Sequence, residues 1–527
     1  MGIIQYILDN AARFPEKTAL ILSDDSLTYS ECVEKTRKLS AAFSAIGICE
    51  SSHIGLLLNN SFEFVITLLA AAELGATVVP LNSTISYKDL STAIDTTDID
   101  YIIGRDVKLE DAIKSSQLEK TKFPVPLEHC IAVGSHVNGC HNFENILETA
   151  SDKYELGKLN IDEEQDYILT MTSGSTSAPK PIVFTQGTKI RRCFSAQDSY
   201  DLTDEDTVLV ATPLYHSISQ RLILTPLILG ATCVIMRSFS PRSWLEHVNK
   251  QKVSFTIAVA SQLEAILEPA KEAGDKLTSL RCVVSCCALL NMETKKLLTD
   301  ELQCDFHECY GISEAGVISN LNIRDLSTKI HSVGRAVSDV DIKIVDNKGN
   351  TAATETIGEI TCKSAMQFSR YYKNEQATQQ SLRDGFLYTG DMGYLDEDGY
   401  LVFSGRKKEV IITGGANVFP KDIEAVLIEH PQVKECAVIG VADKHFGEAV
   451  LALIIVKDDT ELTERDLQRY CLHRLADVQK PLAYVFVDDF PRTSLGKTIK
   501  HMLQQQYADY DATANLRAII QNNSEPQ

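Results

Sequence analysis

The amino-acid sequence predicts an α/β protein that ends in a smaller α+β unit, and three observations support this fold class. Short strand-like runs alternate with helical patterns over roughly the first 290 residues, which implies βαβ units and mostly parallel sheets. Glycines punctuate short strands in residues 342–403, which predicts a small antiparallel β region. A mixture of helix and strand patterns from residue 421 onward predicts the smaller unit.

The N-terminal elements follow from hydrophobic periodicity, capping signals and turn residues. Thr28, followed three residues later by Glu31, fits a capping box that opens a helix through about Ile46. The longest apolar stretch, residues 64–81, contains an acidic residue, a glycine and a proline, so it predicts a buried helix and a strand. The other predicted elements are the strands Ala19–Leu22, His53–Leu58, Thr77–Val79 and Tyr101–Ile103 and the helices Phe62–Leu74 and Tyr87–Thr96.

The same alternation resumes after a less regular stretch near residues 105–160. Here the pattern predicts the strands Tyr167–Met171, Val208–Ala211, Thr232–Met236, Phe255–Val259 and Arg281–Ser285 and the helix Pro241–Lys250. In the C-terminal unit it predicts the helices Lys421–Glu429 and Glu464–Leu475 and the strands Glu435–Val441, Val450–Val456 and Ala483–Val487. Residues after about Ala514 are polar and are expected to be frayed.

Composition and charge exclude several classes of partner. The chain has 51 Lys and Arg residues against 72 Asp and Glu residues, so its formal net charge is −21 at pH 7. This charge excludes a nucleic-acid binder, which needs clustered positive residues, and an anionic membrane surface would repel it. The fourteen cysteines include no Cys-x2-Cys pair, so we expect reduced thiols rather than a zinc site between Cys282 and Cys309. With no targeting signal or spanning segment recognised, we expect a cytoplasmic protein.

Residues 171–180, Met-Thr-Ser-Gly-Ser-Thr-Ser-Ala-Pro-Lys, directly follow a predicted strand. Hydroxyls, backbone N–H groups and one lysine in such a loop can bind a polyphosphate. A polar turn without a ligand would have the same composition. The loop is therefore a candidate phosphate site.

A second motif, Gly311-Ile312-Ser313-Glu314-Ala315, approaches the nucleophile elbow Gly-x-Ser-x-Gly of serine hydrolases. Alanine stands in place of the last glycine, and His331, His430 and His445 are available downstream as a base. A serine hydrolase that uses Ser313 is therefore an alternative.

Seven motifs follow one another in an order that the hydrolase alternative leaves unexplained. After the 172–180 loop they are Thr212-Pro213-Leu214-Tyr215-His216, Tyr310-Gly311-Ile312-Ser313-Glu314, Tyr388-Thr389-Gly390-Asp391, Ser404-Gly405-Arg406-Lys407-Lys408, Gly414-Gly415-Ala416-Asn417-Val418-Phe419-Pro420 and Pro491-Arg492-Thr493-Ser494-Leu495-Gly496-Lys497. This series resembles the ordered core motifs of the adenylate-forming superfamily, which includes acyl- and aryl-CoA synthetases, luciferases and peptide-synthetase adenylation domains. The resemblance runs from about residue 10 to about residue 505.

The resemblance implies a large N-terminal adenylation domain, residues 1–404, of two α/β subdomains and a small β region. It implies that a small mobile α+β domain, residues 405–514, follows a hinge near Lys408, and it leaves residues 515–527 as a tail. The implied reaction has two steps: a carboxylate attacks the α-phosphate of ATP to give an acyl-adenylate and pyrophosphate, and a thiol then displaces AMP. The implied substrates are a fatty or aryl acid, ATP with Mg2+, and coenzyme A.

By the same resemblance, Lys497 bridges the carboxylate and the α-phosphate, and Glu314 holds Mg2+, a hard ion that suits carboxylate oxygens. Tyr310 lies against the adenine, Asp391 accepts the ribose hydroxyls, and Arg406 binds the same nucleotide. The residues implied as catalytic are Lys497, His216 and Arg406. The residues implied to bind ATP are Thr172, Ser173, Gly174, Ser175, Thr176, Lys180, Ala288, Tyr310, Gly311, Ser313, Asp391, Arg406 and Lys497.

The implied acyl pocket includes His216, Cys286 and Cys287. The family usually has glycine or alanine where the two cysteines stand, which predicts a narrowed pocket for short or slender acids. Gly414 and Gly415 are the implied contacts of coenzyme A, and a carrier-protein phosphopantetheine is the alternative thiol.

Two positions depart from the family pattern, since Ser177 and Pro181 stand where glycines are usual. These departures keep open a third class, an ATP- or acyl-binding homologue that has lost catalysis. The intact residues favour an enzyme instead, and they are Glu314, Asp391, Arg406 and Lys497.

Overall fold

The computed structural model describes residues 1–150, 162–171, 180–273, 277–287, 290, 292–302, 304–458, 460–493 and 496–513. This described chain divides into two compact units. The first comprises residues 1–171, 180–341 and 363–387, and the second comprises residues 342–362 and 388–513, within those ranges. The predicted boundary at Gly405 lies inside the second unit and stays a prediction.

The larger sheet of the first unit has nine strands among the described residues, and its central strands are parallel. In spatial order they are Arg335–Ala336, Gly316–Asn322, Asp305–Ile312, Cys282–Cys286, Phe255–Val259, Thr207–Val210, Thr232–Ile235, Thr18–Leu22 and Asp25–Thr28. One face packs against the helices Pro241–Gln251 and Ala260–Ala273 around the buried Trp244. Cys233 points to the opposite face, where its thiol contacts the backbone of helix Ser217–Leu229. Helices therefore cover both faces, which explains why the strands are nearly all apolar.

The other sheet of the first unit has eight strands in the described part of the chain. In spatial order they are Arg370–Tyr371, Pro181–Thr185, Asp166–Met171, Thr77–Pro80, His53–Leu57, Tyr101–Arg105, Cys130–Val133 and His141–Asn142. Its central strands are parallel, whereas Asp166–Met171 and Pro181–Thr185 are antiparallel. Met171 and Pro181, which flank the predicted phosphate loop, are register partners. Proline is tolerated there because it is the first residue of its strand.

Two further sheets have five strands each among the described residues. One consists of Asp341–Val345, Gly358–Lys363, Phe386–Leu395, Leu382–Arg383 and Leu401–Arg406. The antiparallel pairing of its later strands confirms the β region that the glycine spacing predicts. The other consists of Ala416–Val418, Ile411–Thr413, Gly447–Val456, Val433–Asp443 and Ala483–Phe486. It packs apolar side chains on two sides and forms the core of the predicted α+β unit.

Capping residues explain where several helices begin. The capping box of Thr28 and Glu31 is confirmed at the start of helix Tyr29–Ala45. The helices in the described ranges are Ile3–Arg13, Tyr29–Ala45, Phe62–Leu74, Tyr87–Thr97, Asp106–Leu118, Phe143–Thr149, Gln186–Tyr200, Ser217–Leu229, Pro241–Gln251, Ala260–Ala273, Met292–Leu302, Leu326–Lys329, Glu375–Ser381, Pro420–Ile428, Glu464–Cys471 and Lys500–Gln506. None of them is long and apolar enough to cross a membrane.

Two local predictions were wrong. The stretch near residues 105–160 is more regular than expected, since it contains the helix Asp106–Leu118 and the strand Cys130–Val133. That helix has no side-chain N-cap, and that strand has only four residues, so both carry weak sequence signals. The helix predicted over Glu464–Leu475 ends at Cys471, and Leu475 reaches the core after a turn.

Candidate functional site

A glycine-dependent hairpin presents the Tyr310–Glu314 motif. Strand Asp305–Ile312 pairs with strand Gly316–Asn322, and Glu314 lies in the turn between them. A Cβ atom on Gly311 would lie 2.0 Å from the carbonyl oxygen of Gly316, so only glycine fits there. The sequence therefore fixes a tight turn that carries Ser313 and Glu314 at its tip.

The carboxylate-bearing turn is held by two buried side chains of the first unit. Tyr371 donates its hydroxyl to Oε1 of Glu314 at 2.9 Å. Arg192, only 4% exposed, donates from Nη2 to the carbonyl oxygens of Ser313 at 2.9 Å and Glu314 at 3.2 Å. Its Nε donates to the carbonyl of Met366 at 2.9 Å. Three backbone carbonyls thus satisfy one buried guanidinium, and the turn is fixed as a result.

The charges around Glu314 are predominantly positive. Burial, and then the charge of Arg221, lowers the pKa of Arg192 to about 9, so the guanidinium is still charged at pH 7. Burial and the Glu314 carboxylate raise the pKa of Tyr371, so its hydroxyl stays protonated and remains a donor. The Lys180 ammonium lies 5.7 Å from the ring centroid of Tyr371. The structure thereby brings Lys180 and Glu314, both predicted site residues, to the same tyrosine.

The local structure around Ser313 differs from that of a nucleophile elbow. A nucleophile elbow places its serine on a sharp turn from a strand into a helix. Ser313 instead lies in a turn between two antiparallel strands, and its carbonyl is bound by Arg192. The serine hydrolase alternative therefore has no support from this geometry.

His216 immediately precedes helix Ser217–Leu229, and its carbonyl accepts hydrogen bonds from the amides of Ser219 and Gln220. Its ring centroid lies 4.2 Å from that of Tyr215. Burial lowers the pKa of His216 to about 4, so the imidazole is neutral at pH 7.

This pKa predicts an acid-sensitive contribution to stability. Between pH 6.5 and about 4 the unfolded chain binds a proton at His216 that the folded protein does not, so stability falls as the pH falls. We expect His216→Asn to lose about 2 kcal/mol less unfolding free energy than the wild type between pH 7 and pH 4.5. Urea titrations at both pH values test this, with the exposed His445→Asn as control. Equal losses in the wild type and His216→Asn would contradict the assignment.

Cys286 and Cys287, both predicted for the acyl pocket, occupy different environments. Cys286 ends its strand, is 4% exposed and donates its thiol to the carbonyl of Ala258 at 3.6 Å. Cys287 follows the strand, is half-buried and has φ of 72°, a left-handed conformation that favours glycine. The two thiols differ in burial but stay in contact, since Sγ of Cys286 lies 3.5 Å from Sγ of Cys287.

This difference predicts opposite outcomes for two equivalent substitutions. Cys286→Gly should lower the unfolding free energy by about 1–3 kcal/mol, because it leaves a cavity in a strand. Cys287→Gly should be neutral or stabilising by up to about 1 kcal/mol, because glycine relieves the left-handed strain. Only Cys287→Gly should shift the preference toward bulkier acids in an acid panel. A similar loss of stability in both variants would contradict the difference in environment.

An aspartate and an arginine predicted to bind the nucleotide are neighbours in the second unit. Asp391 and Arg406 are register partners on antiparallel strands, and Nε of Arg406 lies 3.5 Å from Oδ1 of Asp391. Asp391 is buried, whereas Arg406 is exposed. The preceding Gly390 has φ of 72°, and its amide donates to Oε1 of Glu359 at 3.2 Å. Gly390, in a left-handed conformation within strand Phe386–Leu395, thus directly precedes the buried carboxylate.

The predicted coenzyme A contacts form a two-residue hairpin turn. Gly414 and Gly415 join strands Ile411–Thr413 and Ala416–Val418 with φ values of 55° and 82°. Two successive positive φ values are typical of a type I′ turn, which explains the glycine pair. A Cβ atom at Gly415 would meet nothing within 4 Å, so this position adjoins open space.

Lys497 and Lys408, the predicted catalytic lysine and hinge, are both exposed. The Lys497 amide donates to Oγ1 of Thr493 at 3.2 Å, and the Lys497 carbonyl accepts from the Thr493 amide at 2.8 Å. The backbone and the hydroxyl of Thr493 thus fix the base of the Lys497 side chain. Lys408 lies in the short 3-10 helix Lys407–Glu409.

Some predicted residues cannot be placed in this way. Thr172, Ser173, Gly174, Ser175, Thr176, Ser177 and Ala288 lie outside the described residues. Among the described residues, no group of three or more His, Cys, Asp or Glu side chains could hold a metal ion. All fourteen cysteines are free thiols.

Sequence reasoning missed Arg192 and Tyr371, which hold the Glu314 turn. Neither belongs to a motif, and a buried arginine in a helix has the same sequence signature as a solvated one. The surrounding pattern Phe368-Ser369-Arg370-Tyr371-Tyr372 signals only an aromatic segment. Both contacts arise from tertiary packing.

Three features on this α/β framework are those of the class of adenylate-forming enzymes. They are the Glu314 carboxylate on its glycine-dependent hairpin, the Asp391–Arg406 pair and the Gly414–Gly415 turn. The chain belongs to the AMP-binding enzyme family, whose model matches residues 7–372. The C-terminal domain model of the same enzymes matches residues 422–497. These matches confirm the predicted superfamily and its fold, a large N-terminal domain followed by a small C-terminal domain.

Known proteins resemble the chain over nearly its whole length. The indoleacetate–CoA ligase of Aromatoleum aromaticum is 28% identical over 520 residues, which are 96% of this chain and 98% of that protein. The long-chain-fatty-acid–CoA ligase of Bacillus subtilis is 28% identical over 529 residues, 95% of this chain and 94% of that protein. A structure of the Bacillus subtilis o-succinylbenzoate coenzyme A synthetase with ATP and magnesium ion is 25% identical, with a TM-score of 0.84 over 95% of this chain and 99% of that one.

Proposed function

We propose that this chain is an AMP-forming ligase that joins a fatty or aryl carboxylic acid to coenzyme A. The single observation that carries the proposal is the Glu314 carboxylate, which is held by Tyr371 and Arg192 on a hairpin that only glycine permits. The relatives named as ligases of indoleacetate and of long-chain fatty acids support the class of substrate. The relative solved with ATP and magnesium ion supports the nucleotide and the metal.

Glu314 fits a ligand of Mg2+, because this hard ion prefers carboxylate and phosphate oxygens. When bound with ATP, the ion would offset charge on the phosphate oxygens. Tyr371 orients the carboxylate by donating its hydroxyl to one oxygen, and Arg192 keeps the turn in place. Lys180 would add a positive charge for the phosphates, together with the 172–176 loop.

The remaining residues have distinct tasks in the first step of the proposed reaction. Tyr310 would pack against the adenine, and Asp391 would accept hydrogen bonds from both ribose hydroxyls. Arg406, paired with Asp391, would bind the same nucleotide. Lys497 would place its ammonium between the attacking carboxylate and the α-phosphate, where negative charge accumulates. His216 is neutral at pH 7, so it would line the acyl pocket without adding charge.

In the second step the thiol of coenzyme A displaces AMP from the acyl-adenylate. Gly414 and Gly415 would let the thiol arm pass close to the backbone, since they carry no side chains. Between the two steps, residues 405–514 would rotate about Lys408. The rotation would move Lys497 away from the reacting atoms and bring the Gly414–Gly415 turn to them. A carrier-protein phosphopantetheine is the second candidate thiol. The fourteen free thiols agree with a cytoplasmic enzyme, which we include in the proposal.

The proposal is tested by incubating the protein with ATP, Mg2+ and a panel of fatty and aryl acids, with and without coenzyme A. We expect pyrophosphate with the preferred acids, and AMP turnover only when coenzyme A is present. Turnover with a phosphopantetheinylated carrier protein instead would favour the second thiol. No product with any acid would indicate a homologue without catalysis, and ester hydrolysis without ATP would indicate a hydrolase.

A further inference from the structure

Arg221 is a cation without a described partner in the first unit. It lies in the first turns of helix Ser217–Leu229, five residues after His216. Its Nε atom is buried and donates no hydrogen bond, and no described carboxylate forms an ion pair with it. Leaving a buried donor unpaired costs about 1–3 kcal/mol, and more when the group is charged. A side chain kept at that cost needs an explanation.

The helix of Arg221 covers the face of the sheet that carries Cys286, and Sγ of Cys286 lies 3.5 Å from Sγ of Cys287, the thiol that we expect to line the acyl pocket. Cys286 and Cys309 lie on the face of the nine-stranded sheet opposite Val283 and Phe306, which belong to the Trp244 core. This is the face that carries the helix of Arg221. The hydrogen bond with Cys287 and then burial raise the pKa of Cys286, and burial raises the pKa of Cys309, while the charge of Arg221 opposes both shifts.

Arg221 is half-buried, whereas two fully buried cations nearby have acceptors in the protein. Lys189 donates from Nζ to Oε1 of Gln220 at 2.7 Å, and Arg192 donates to three backbone carbonyls. Burial and the charge of Arg192 lower the pKa of Lys189. Among these three cations, Arg221 is therefore the one whose buried Nε finds no acceptor in the described residues.

We propose that Arg221 binds a second anionic group of the acid substrate, at the end remote from the carboxylate that is activated. The preferred substrate is then a dicarboxylic acid, and this inference rests on the proposed function. A guanidinium binds a carboxylate through two parallel charge-assisted hydrogen bonds, which a terminal methyl group cannot replace. A monocarboxylic acid would leave the buried Nε of the half-buried Arg221 without an acceptor, and sites with such unpaired groups reject the incomplete ligand strongly.

Two acids of equal chain length test the proposal, because adipate and hexanoate differ only in the second carboxylate. We expect the wild type to show kcat/KM at least about 30-fold higher for adipate than for hexanoate. Arg221→Met should lose about 30-fold or more with adipate and change less than about 3-fold with hexanoate. Arg242→Met, which removes an exposed arginine of the same unit, should leave both values unchanged. Glutarate and pentanoate provide a second matched pair.

Thermal unfolding separates this inference from the proposed function, since it needs no turnover. Adipate should raise the Tm of the wild type and of Arg242→Met, but not that of Arg221→Met. Hexanoate should raise the Tm of the wild type and of Arg242→Met by less than adipate does. Absence of AMP with every acid would contradict the proposed function, while an adipate shift that depends on Arg221 would still support the anion site. No Arg221-dependent Tm shift, or equal effects of Arg221→Met on both acids, would overturn the proposal.

Discussion

Replacing Lys497 by alanine is expected to abolish adenylate formation while sparing thioester formation from supplied acyl-adenylate. In the first step a carboxylate approaches a polyphosphate, so positive charge at the reacting atoms stabilises the transition state. We expect a loss of at least about 10³-fold in acid-dependent pyrophosphate exchange. The second half-reaction should change less than about 3-fold, because the proposed rotation of residues 405–514 takes Lys497 away from the reacting atoms before that step. Pyrophosphate exchange and AMP release from synthetic acyl-adenylate with coenzyme A measure the two steps separately.

The geometry around Lys497 makes this variant easy to interpret. The backbone amide and carbonyl of Lys497 are hydrogen-bonded to Thr493, and the Lys497 side chain is exposed, so truncation should not unfold the unit. Lys434→Ala removes another exposed lysine from the same unit and is the matched control. Comparable losses of both half-reactions in Lys497→Ala would assign the lysine a structural role instead.

Much of the fold was predictable because its signals are local. Helix Phe62–Leu74 was predicted with its observed bounds, since Ser61 caps its first turn and Gly75 ends it with φ of 73°. Elements without such signals were missed, such as helix Asp106–Leu118, whose first residue follows an arginine that provides no side-chain cap. The helical conformation of Asp106–Leu118 depends instead on packing against the sheet.

The candidate site was predictable only where its residues belong to motifs. The Tyr310–Glu314 motif was identified from sequence because its glycine is required by the close approach of two strands. Arg192 could not be predicted, because its hydrogen bond to Met366 joins residues 174 positions apart. The same holds for Arg221, whose buried Nε has no acceptor among the described residues. Single arginines acquire their role from tertiary contacts that local sequence does not encode.

Substituting Gly415 by phenylalanine is expected to block the thioester step by about 100-fold or more while leaving pyrophosphate exchange within about 3-fold. A side chain at this position would project into open space, since a Cβ atom there meets nothing within 4 Å. In the proposed reaction that space admits the thiol arm of coenzyme A. The substitution also strains the backbone by about 1–2 kcal/mol, because φ is 82°.

Gly349 provides a control that matches both the strain and the open surroundings of Gly415. It has φ of 84°, a Cβ atom there would also meet nothing within 4 Å, and it belongs to the same unit. Gly349→Phe should therefore lose the same stability as Gly415→Phe in urea titrations but retain the thioester step. If both variants slow that step equally, strain rather than obstruction is the cause, and the thiol does not pass Gly415. If only Gly415→Phe raises the KM for coenzyme A, the glycine turn lies on the path of the thiol.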